Sequence, residues 1–236
     1  MSQRPRLVLI SGWGTSARVW DGIAAKLPEW RIDALSWADC LRDSSRVIAA
    51  MGNEPCILGG WSLGAMLSLR TAIEMPHNVL ALVLLGATAR FPADTDYPGA
   101  DARSLRAMRL RLTKDSGRVL RDFASQCATP DGGEDTIAAY LVQASGFGAS
   151  ELSAGLDCLG TLDLRDQLGQ LRMPTLLLHG SDDRIVPPSS VEYLAGRLPD
   201  GRVRMFAGRG HALPFTAAGE VAGAIESVLH EWIIGE

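Results

Sequence analysis

The chain has 236 residues, of which 47% are hydrophobic and 21% charged, with a net charge of −4 and a pI near 5.6. That length suits one sizeable domain with a continuous core, and without low-complexity or like-charge blocks intrinsic disorder is excluded. A mildly acidic balance argues against general nucleic-acid binding, which needs a basic footprint, and no stretch reaches the roughly 18 uncharged apolar residues of a membrane span.

The N-terminus, Met1 to Pro5, lacks the apolar core of a secretory signal, so a cytoplasmic location is expected. The first apolar run predicts a strand over 6–10, followed by a helix over 16–27, a weaker strand over 32–36 and a helix over 44–51. A strand over 56–60, a helix over 63–74 and a strand over 80–85 come next. Such alternation of Val-, Ile- and Leu-rich runs with helical patterns predicts a parallel sheet built from right-handed βαβ units. Between 91 and 171 strand-like runs vanish, and amphipathic segments predict helices over 102–112, 117–126, 136–143 and 151–159. Alternation resumes with a strand over 175–179, a helix over 189–197, a strand over 203–206 and a final helix over 217–232. Residues 1–90 and 172–236 therefore read as the core, and 91–171 as a helical insertion over the carboxyl edge of the sheet, where α/β folds place their ligands. Cys40, Cys56, Cys127 and Cys158 lie far apart with no CxxC pair, as free thiols in a reducing compartment would. No clustered ligands suggest a metal, and no cofactor is implied.

The strongest chemical signal is Gly60-Trp61-Ser62-Leu63-Gly64, a G-x-S-x-G motif between a strand and a helix. A serine forced into a sharp strand-to-helix turn exposes its hydroxyl at the top of the sheet, and small flanking residues let backbones pass closely. A serine hydroxyl needs a general base within hydrogen-bond reach. Of four histidines, His77 follows Pro76 in a helix-ending turn and His230 lies in the last helix, both as solvated residues, while His179 ends an apolar strand as a buried one. His211, in Gly210-His211-Ala212 after the last strand, is the candidate base, since such sheets run nucleophile, acid, histidine in chain order. The acid then follows the penultimate strand, where Asp182 and Asp183 compete. Adjacent side chains point in different directions, so one of the two meets His211. An oxyanion hole needs two backbone N–H donors, expected from Leu63 and from Trp13 in the Ser11-Gly12-Trp13-Gly14 loop, where Trp13 also packs.

These landmarks resemble the α/β-hydrolase superfamily across nearly the whole chain. The resemblance implies a mostly parallel sheet with helices on both faces and an inserted helical lid. The superfamily pattern G-x-x-D-x-x-V-P selects Asp183 as the acid. Many superfamily members carry histidine where this chain has Ser11, a position that shapes the loop from below, and their usual first hairpin is not apparent ahead of residue 6. A closer resemblance is to the pimeloyl-[acyl-carrier protein] methyl ester esterases of biotin synthesis. It rests on Gly12-Trp13-Gly14 with Val19-Trp20, the Ser62 motif, Gly155-Leu156, Asp163-Leu164-Arg165 with Leu168, Met173-Pro174, and Gly210-His211-Ala212 with Pro214-Phe215. Tyr97-Pro98-Gly99 is similar to that family's entry to its lid. The resemblance implies hydrolysis of the methyl ester of pimeloyl-carrier protein, and a lid whose Phe123 and Gln126 line the acyl channel or else pack in the core.

One further pattern is independent of the resemblance. From Arg103 to Arg121 lie seven of the 23 basic residues (Arg103, Arg106, Arg109, Arg111, Lys114, Arg118 and Arg121) but only one of the 27 acidic ones, Asp115. Basic charge is thus concentrated in the expected lid of an otherwise acidic protein. Acyl-carrier proteins are strongly acidic, and complementary fields steer docking, so Arg109, Arg111, Arg118 and Arg121 are candidate docking residues. The alternative is a solvated helix face, as in a small-molecule carboxylesterase or thioesterase, or a ligand receptor that keeps the fold. A monomer is expected.

Overall fold

The computed structural model describes residues 4–234. Six strands form one sheet: β1 (Leu7–Ile10), β2 (Ile32–Leu35), β3 (Cys56–Trp61), β4 (Val79–Leu85), β5 (Thr175–Gly180) and β6 (Gly201–Phe206). Their order is β2-β1-β3-β4-β5-β6, and every pairing is parallel. A parallel sheet is covered on both faces, so its central strands read as unbroken apolar runs. Accordingly β1, β3 and β5 are buried throughout, whereas edge strand β6 exposes Val203 and Met205. The chain runs from β1 outward to β2 and then returns to β3 on the other side of β1. That reversal opens a crevice at the carboxyl ends of β1 and β3. The register Ile10↔Gly60 brings the loop after β1 level with the turn after β3.

The helices flanking the sheet are α1 (Asp21–Ala24), α2 (Trp37–Arg42), α3 (Ser45–Met51) and α4 (Leu63–Glu74) before the insertion. After it come α9 (Pro188–Ala195), α10 (Leu213–Thr216) and α11 (Ala218–Ile234). The helix expected over 16–27 is instead a 3₁₀ turn, Ala17–Trp20, followed by the short α1. Leu27 precedes Pro28, which disfavours helical backbone there, and the segment ends on tight Lys26 N–Ile23 O and Leu27 N–Ala24 O bonds of 3.0 Å. Helix α2 was not expected; Ser36 caps it, its Oγ accepting the Ala38 amide at 3.3 Å.

Between β4 and β5 stand α5 (Ala102–Leu112), α6 (Ser116–Ala128), α7 (Glu134–Ala144) and α8 (Ala149–Thr161). Asp101 and Asp115 cap α5 and α6, so the single acid of the basic stretch is committed to a helix end. Leu105 and Leu112 turn inward from α5 while Arg103, Arg106, Arg109 and Arg111 stay exposed. Helix α8 lies directly on the loop after β1. A Cβ at Gly155 would sit 2.5 Å from both Trp13 Cδ1 and Trp37 Cζ3, so only glycine permits that approach. Among the described residues no helix is long and apolar enough to cross a membrane.

Candidate active site

Among the described residues Ser62 is the one non-glycine residue with positive φ, at φ 57° and ψ −119°. That conformation costs an L-residue energy and persists where the surroundings over-determine it. Here the Ser62 amide is held by Leu85 O at 2.9 Å, and both motif glycines abut backbone. A Cβ on Gly60 would lie 2.7 Å from Ala65 N, and one on Gly64 would lie 2.7 Å from the Ile10 carbonyl carbon. The turn thus presses β3, α4 and the end of β1 together and leaves Ser62 at the head of α4.

His211 meets this turn through Trp61, the residue before Ser62. The indole N–H donates to His211 O at 2.9 Å, and the two rings lie 5.4 Å apart. His211 Nδ1 is 2.7 Å from Asp183 Oδ2, and both side chains are buried. Asp183 Oδ1 accepts the amides of Ile185 at 2.8 Å and Val186 at 2.9 Å. Burial opposes the charged carboxylate, but His211, His179 and the Val186 amide outweigh it and hold the Asp183 pKa below its ordinary range. With Nδ1 committed to Asp183, the free lone pair of the ring is on Nε2, and Nε2 has no partner among the described residues. Of the two adjacent aspartates, Asp183 therefore meets the histidine, while Asp182 is exposed.

His179 is buried, its Nε2 lying 3.0 Å from Val186 O and 3.5 Å from Asp183 Oδ2. Burial lowers its pKa, with Asp183 opposing in part. It approaches the same carboxylate oxygen that His211 meets. His77 is exposed and His230 half-buried. Nothing in the sequence marked His179 as a neighbour of Asp183, since the contact depends on the turn after β5.

The loop after β1 presents the second expected donor. The Trp13 amide and the Leu63 amide, the latter at the first position of α4, make no hydrogen bond to a protein acceptor among the described residues. Ser11 shapes this loop by donating to Thr15 O at 2.7 Å and accepting the Trp37 amide at 3.1 Å. Trp13 is pinned from the insertion twice: its indole donates to Leu152 O at 2.9 Å, and Tyr140 donates to Trp13 O at 2.6 Å. Tyr140 escaped the sequence reading because it sits in an ordinary amphipathic helix.

Beside these groups lies a cavity of about 450 Å³ between α5, α6 and the loop after β5. Phe123 and Gln126 line it, with Met108, Arg111, Arg184 and Ile185. Ser62 and His211 are not in its wall; Phe123 links the two regions, its ring 5.1 Å from that of Trp13. Arg118 and Arg121 are exposed on α6, 4.0 Å from Asp122 and 3.8 Å from Glu134. Arg109 forms an ion pair with Asp157 on α8.

A family model described as alpha/beta hydrolase fold matches residues 28–218. The chain is 31% identical over 227 residues to the pimeloyl-[acyl-carrier protein] methyl ester esterase of Nitrosomonas europaea, covering 89% of this chain and 90% of that protein. It is 30% identical to the protein of the same name from Aromatoleum aromaticum, with 96% and 98% covered. It is also 32% identical to the biotin biosynthesis bifunctional protein BioHC of Cellvibrio japonicus, where the match covers 94% of this chain but about half, 47%, of that longer relative. Among solved structures, an esterase from Exiguobacterium antarcticum superposes with a TM-score of 0.87 at 19% identity, over 97% of this chain and 93% of that one. A hydrolase from Oleispira antarctica does so with a TM-score of 0.86 at 12% identity, over 97% and 92%. At such identities the likeness bears on the fold.

Proposed function

The chain belongs to the α/β-hydrolase family and to the esterases that its biotin-synthesis relatives represent, and from that premise we propose that it hydrolyses the methyl ester of a pimeloyl group borne by acyl-carrier protein. The observation that carries the chemistry is the strained Ser62 turn held against the buried His211–Asp183 pair. Ser62 Oγ attacks the ester carbonyl carbon as His211 Nε2 takes its proton. The amides of Trp13 and Leu63 receive the oxyanion, an arrangement worth about 10²–10³ in rate per donor. The tetrahedral adduct collapses, the C–O bond to methoxide breaks, and His211 returns the proton so that methanol leaves. Water, deprotonated by His211, then attacks the Ser62 ester, freeing the distal carboxylate and the serine. Asp183 fixes the imidazole tautomer and stabilises the imidazolium throughout.

The helices of 91–171 act in this reading as the lid. Phe123 and Gln126 offer the acyl chain a wall, and the exposed arginines of α5 and α6 face an acidic carrier protein. Complementation of a biotin auxotroph lacking its own esterase tests the whole reading. Growth without biotin is expected from the wild-type chain and not from Ser62→Ala, which should also lose labelling by a fluorophosphonate. Growth restored equally by Ser62→Ala would remove the serine mechanism. A wild-type chain that cleaves small esters yet fails to complement would remove the carrier-bound substrate.

A further inference from the structure

The loop bearing His211 is held in part by the helical insertion. Asp131 follows α6, and its side chain is 10% exposed. Its Oδ1 accepts the Gly210 amide at 2.8 Å, and its Oδ2 lies 3.3 Å from Arg209 Nη1. The last carbonyls of a helix have no partner within it, and one of those of α6, Cys127 O, accepts the Ala212 amide at 3.1 Å. The amides on both sides of His211 thus end on residues 127 to 131. The fit leaves no slack: a Cβ on Gly210 would lie 2.9 Å from the Thr129 carbonyl carbon. Arg209 extends the clamp to α10 and α11, reaching Thr216 O at 3.4 Å and pairing with Glu220.

We propose that Asp131 is a positioning residue for the reaction, one that fixes the backbone of 210–212 so that the His211 ring keeps its bond to Asp183 and leaves Nε2 free to take the Ser62 proton. The proposal rests on the reading of His211 as the base. A half-buried carboxylate bonded to an amide and a guanidinium makes charge-assisted hydrogen bonds, about twice as strong as neutral ones. Asp183 and Trp61 hold the ring Nδ1 and the carbonyl of His211, but it is Asp131 and Cys127 that accept the amides on either side of it. Misplacement of a reacting group by about 1 Å costs up to about 10²-fold in rate. Asp131 touches neither substrate nor the reacting atoms, so its effect is transmitted through this loop.

Asp131→Ala and Asp131→Asn separate positioning from folding. Asparagine keeps the Oδ1 acceptor for Gly210 and loses the charge opposite Arg209. With p-nitrophenyl butyrate, Asp131→Ala should lower kcat by about 10-fold or more with KM within about twofold, and should slow fluorophosphonate labelling of Ser62 in parallel. Asp131→Asn should recover most of that loss. Unchanged kcat in Asp131→Ala overturns the proposal, as does a loss that asparagine fails to restore or that tracks the fraction of unfolded protein. His211→Ala is the control. If it is inactive while Asp131→Ala is normal, the positioning role alone falls; if it stays active, the base assignment falls and the proposal with it.

Discussion

His211 Nδ1 and Asp183 Oδ2 stand 2.7 Å apart, and the remaining Asp183 oxygen is taken up by the amides of Ile185 and Val186. The carboxylate is thereby fixed in orientation and kept ionised. Asp183→Asn should lower kcat for a small ester by about 10⁴-fold, as when the supporting acid of other triads is neutralised. Asp182 is exposed, and its one backbone bond, from its amide to Arg209 O at 2.9 Å, does not involve the side chain. Asp182→Asn should therefore stay within about twofold of the parent, because surface substitutions of this kind leave the fold and the site intact. Steady-state hydrolysis of p-nitrophenyl butyrate by the two variants decides the matter, and the reverse ranking would transfer the role to Asp182.

His179 predicts how stability depends on pH. Burial depresses its pKa, so below the ordinary value of about 6.5 the unfolded chain binds a proton that the folded chain resists. Stability then rises with pH through that window and is lost as pH falls below about 6.5 towards the folded value. Asp183, also held below its ordinary range, adds a second loss only beneath about pH 3.9. Urea midpoints should fall from pH 7 to pH 5 in the parent chain. His179→Gln, whose amide can still donate to Val186 O, should flatten that decline and leave the loss below pH 4. Identical profiles in the two proteins would show that His179 does not couple folding to protons.

What the sequence made legible follows from how local each constraint is. The Ser62 motif announces itself because strand, turn and helix are contiguous, and α4 spans Leu63–Glu74, the residues its apolar pattern predicts. Helix α5 likewise has the expected bounds, Ala102–Leu112. Contacts between distant segments leave no such mark. Tyr140 bonds to Trp13 across 127 residues, and Asp131 to Gly210 across 79. Nothing in a helical repeat or a loop of small residues distinguishes these from solvated side chains. Short elements fail for another reason: α2 has six residues, too few for a period to show, and its stability comes from Trp37 and Cys40 packing into the core.

Tyr140 offers a test of the loop that carries Trp13. Tyr140→Phe preserves the ring, which lies 5.9 Å from Phe123 and 6.4 Å from Phe215, and removes only the donor to Trp13 O. An unpaired buried carbonyl costs about 1–3 kcal/mol, so the urea midpoint should drop. If the loop also aims the Trp13 amide, kcat should fall by several-fold with KM nearly constant, since the oxyanion forms only along the reaction path. Burial keeps the Tyr140 hydroxyl protonated far above its usual range, so the effect should be independent of pH in ordinary buffers. A variant that is less stable yet fully active would make Tyr140 a packing residue and nothing more.

The arginines of the insertion differ in what their removal would disturb. Arg109 is tied to Asp157 of α8, so reversing its charge would strain the helical pair itself. Arg111 lines the cavity, so its loss would alter the cavity wall as well as surface charge. Arg118 and Arg121 are cleaner probes, with side chains 79% and 61% exposed and carboxylate partners no nearer than 3.8 Å. Exposed pairs of that kind contribute only about 0.2–1 kcal/mol, so Arg118→Glu with Arg121→Glu should leave the fold intact. Turnover of a carrier-bound ester should nevertheless weaken, because rim charges govern encounter and orientation of an acidic partner. Hydrolysis of p-nitrophenyl butyrate should barely change, since Ser62, His211 and Asp183 are untouched. Added salt should mimic the double variant on the carrier-bound substrate alone, as the Debye length shrinks to about 3 Å at 1 M. Equal losses on both substrates would mean that the helices had misfolded. No loss on either would leave the basic stretch as a solvated face, and an esterase acting on small molecules would then be the better description.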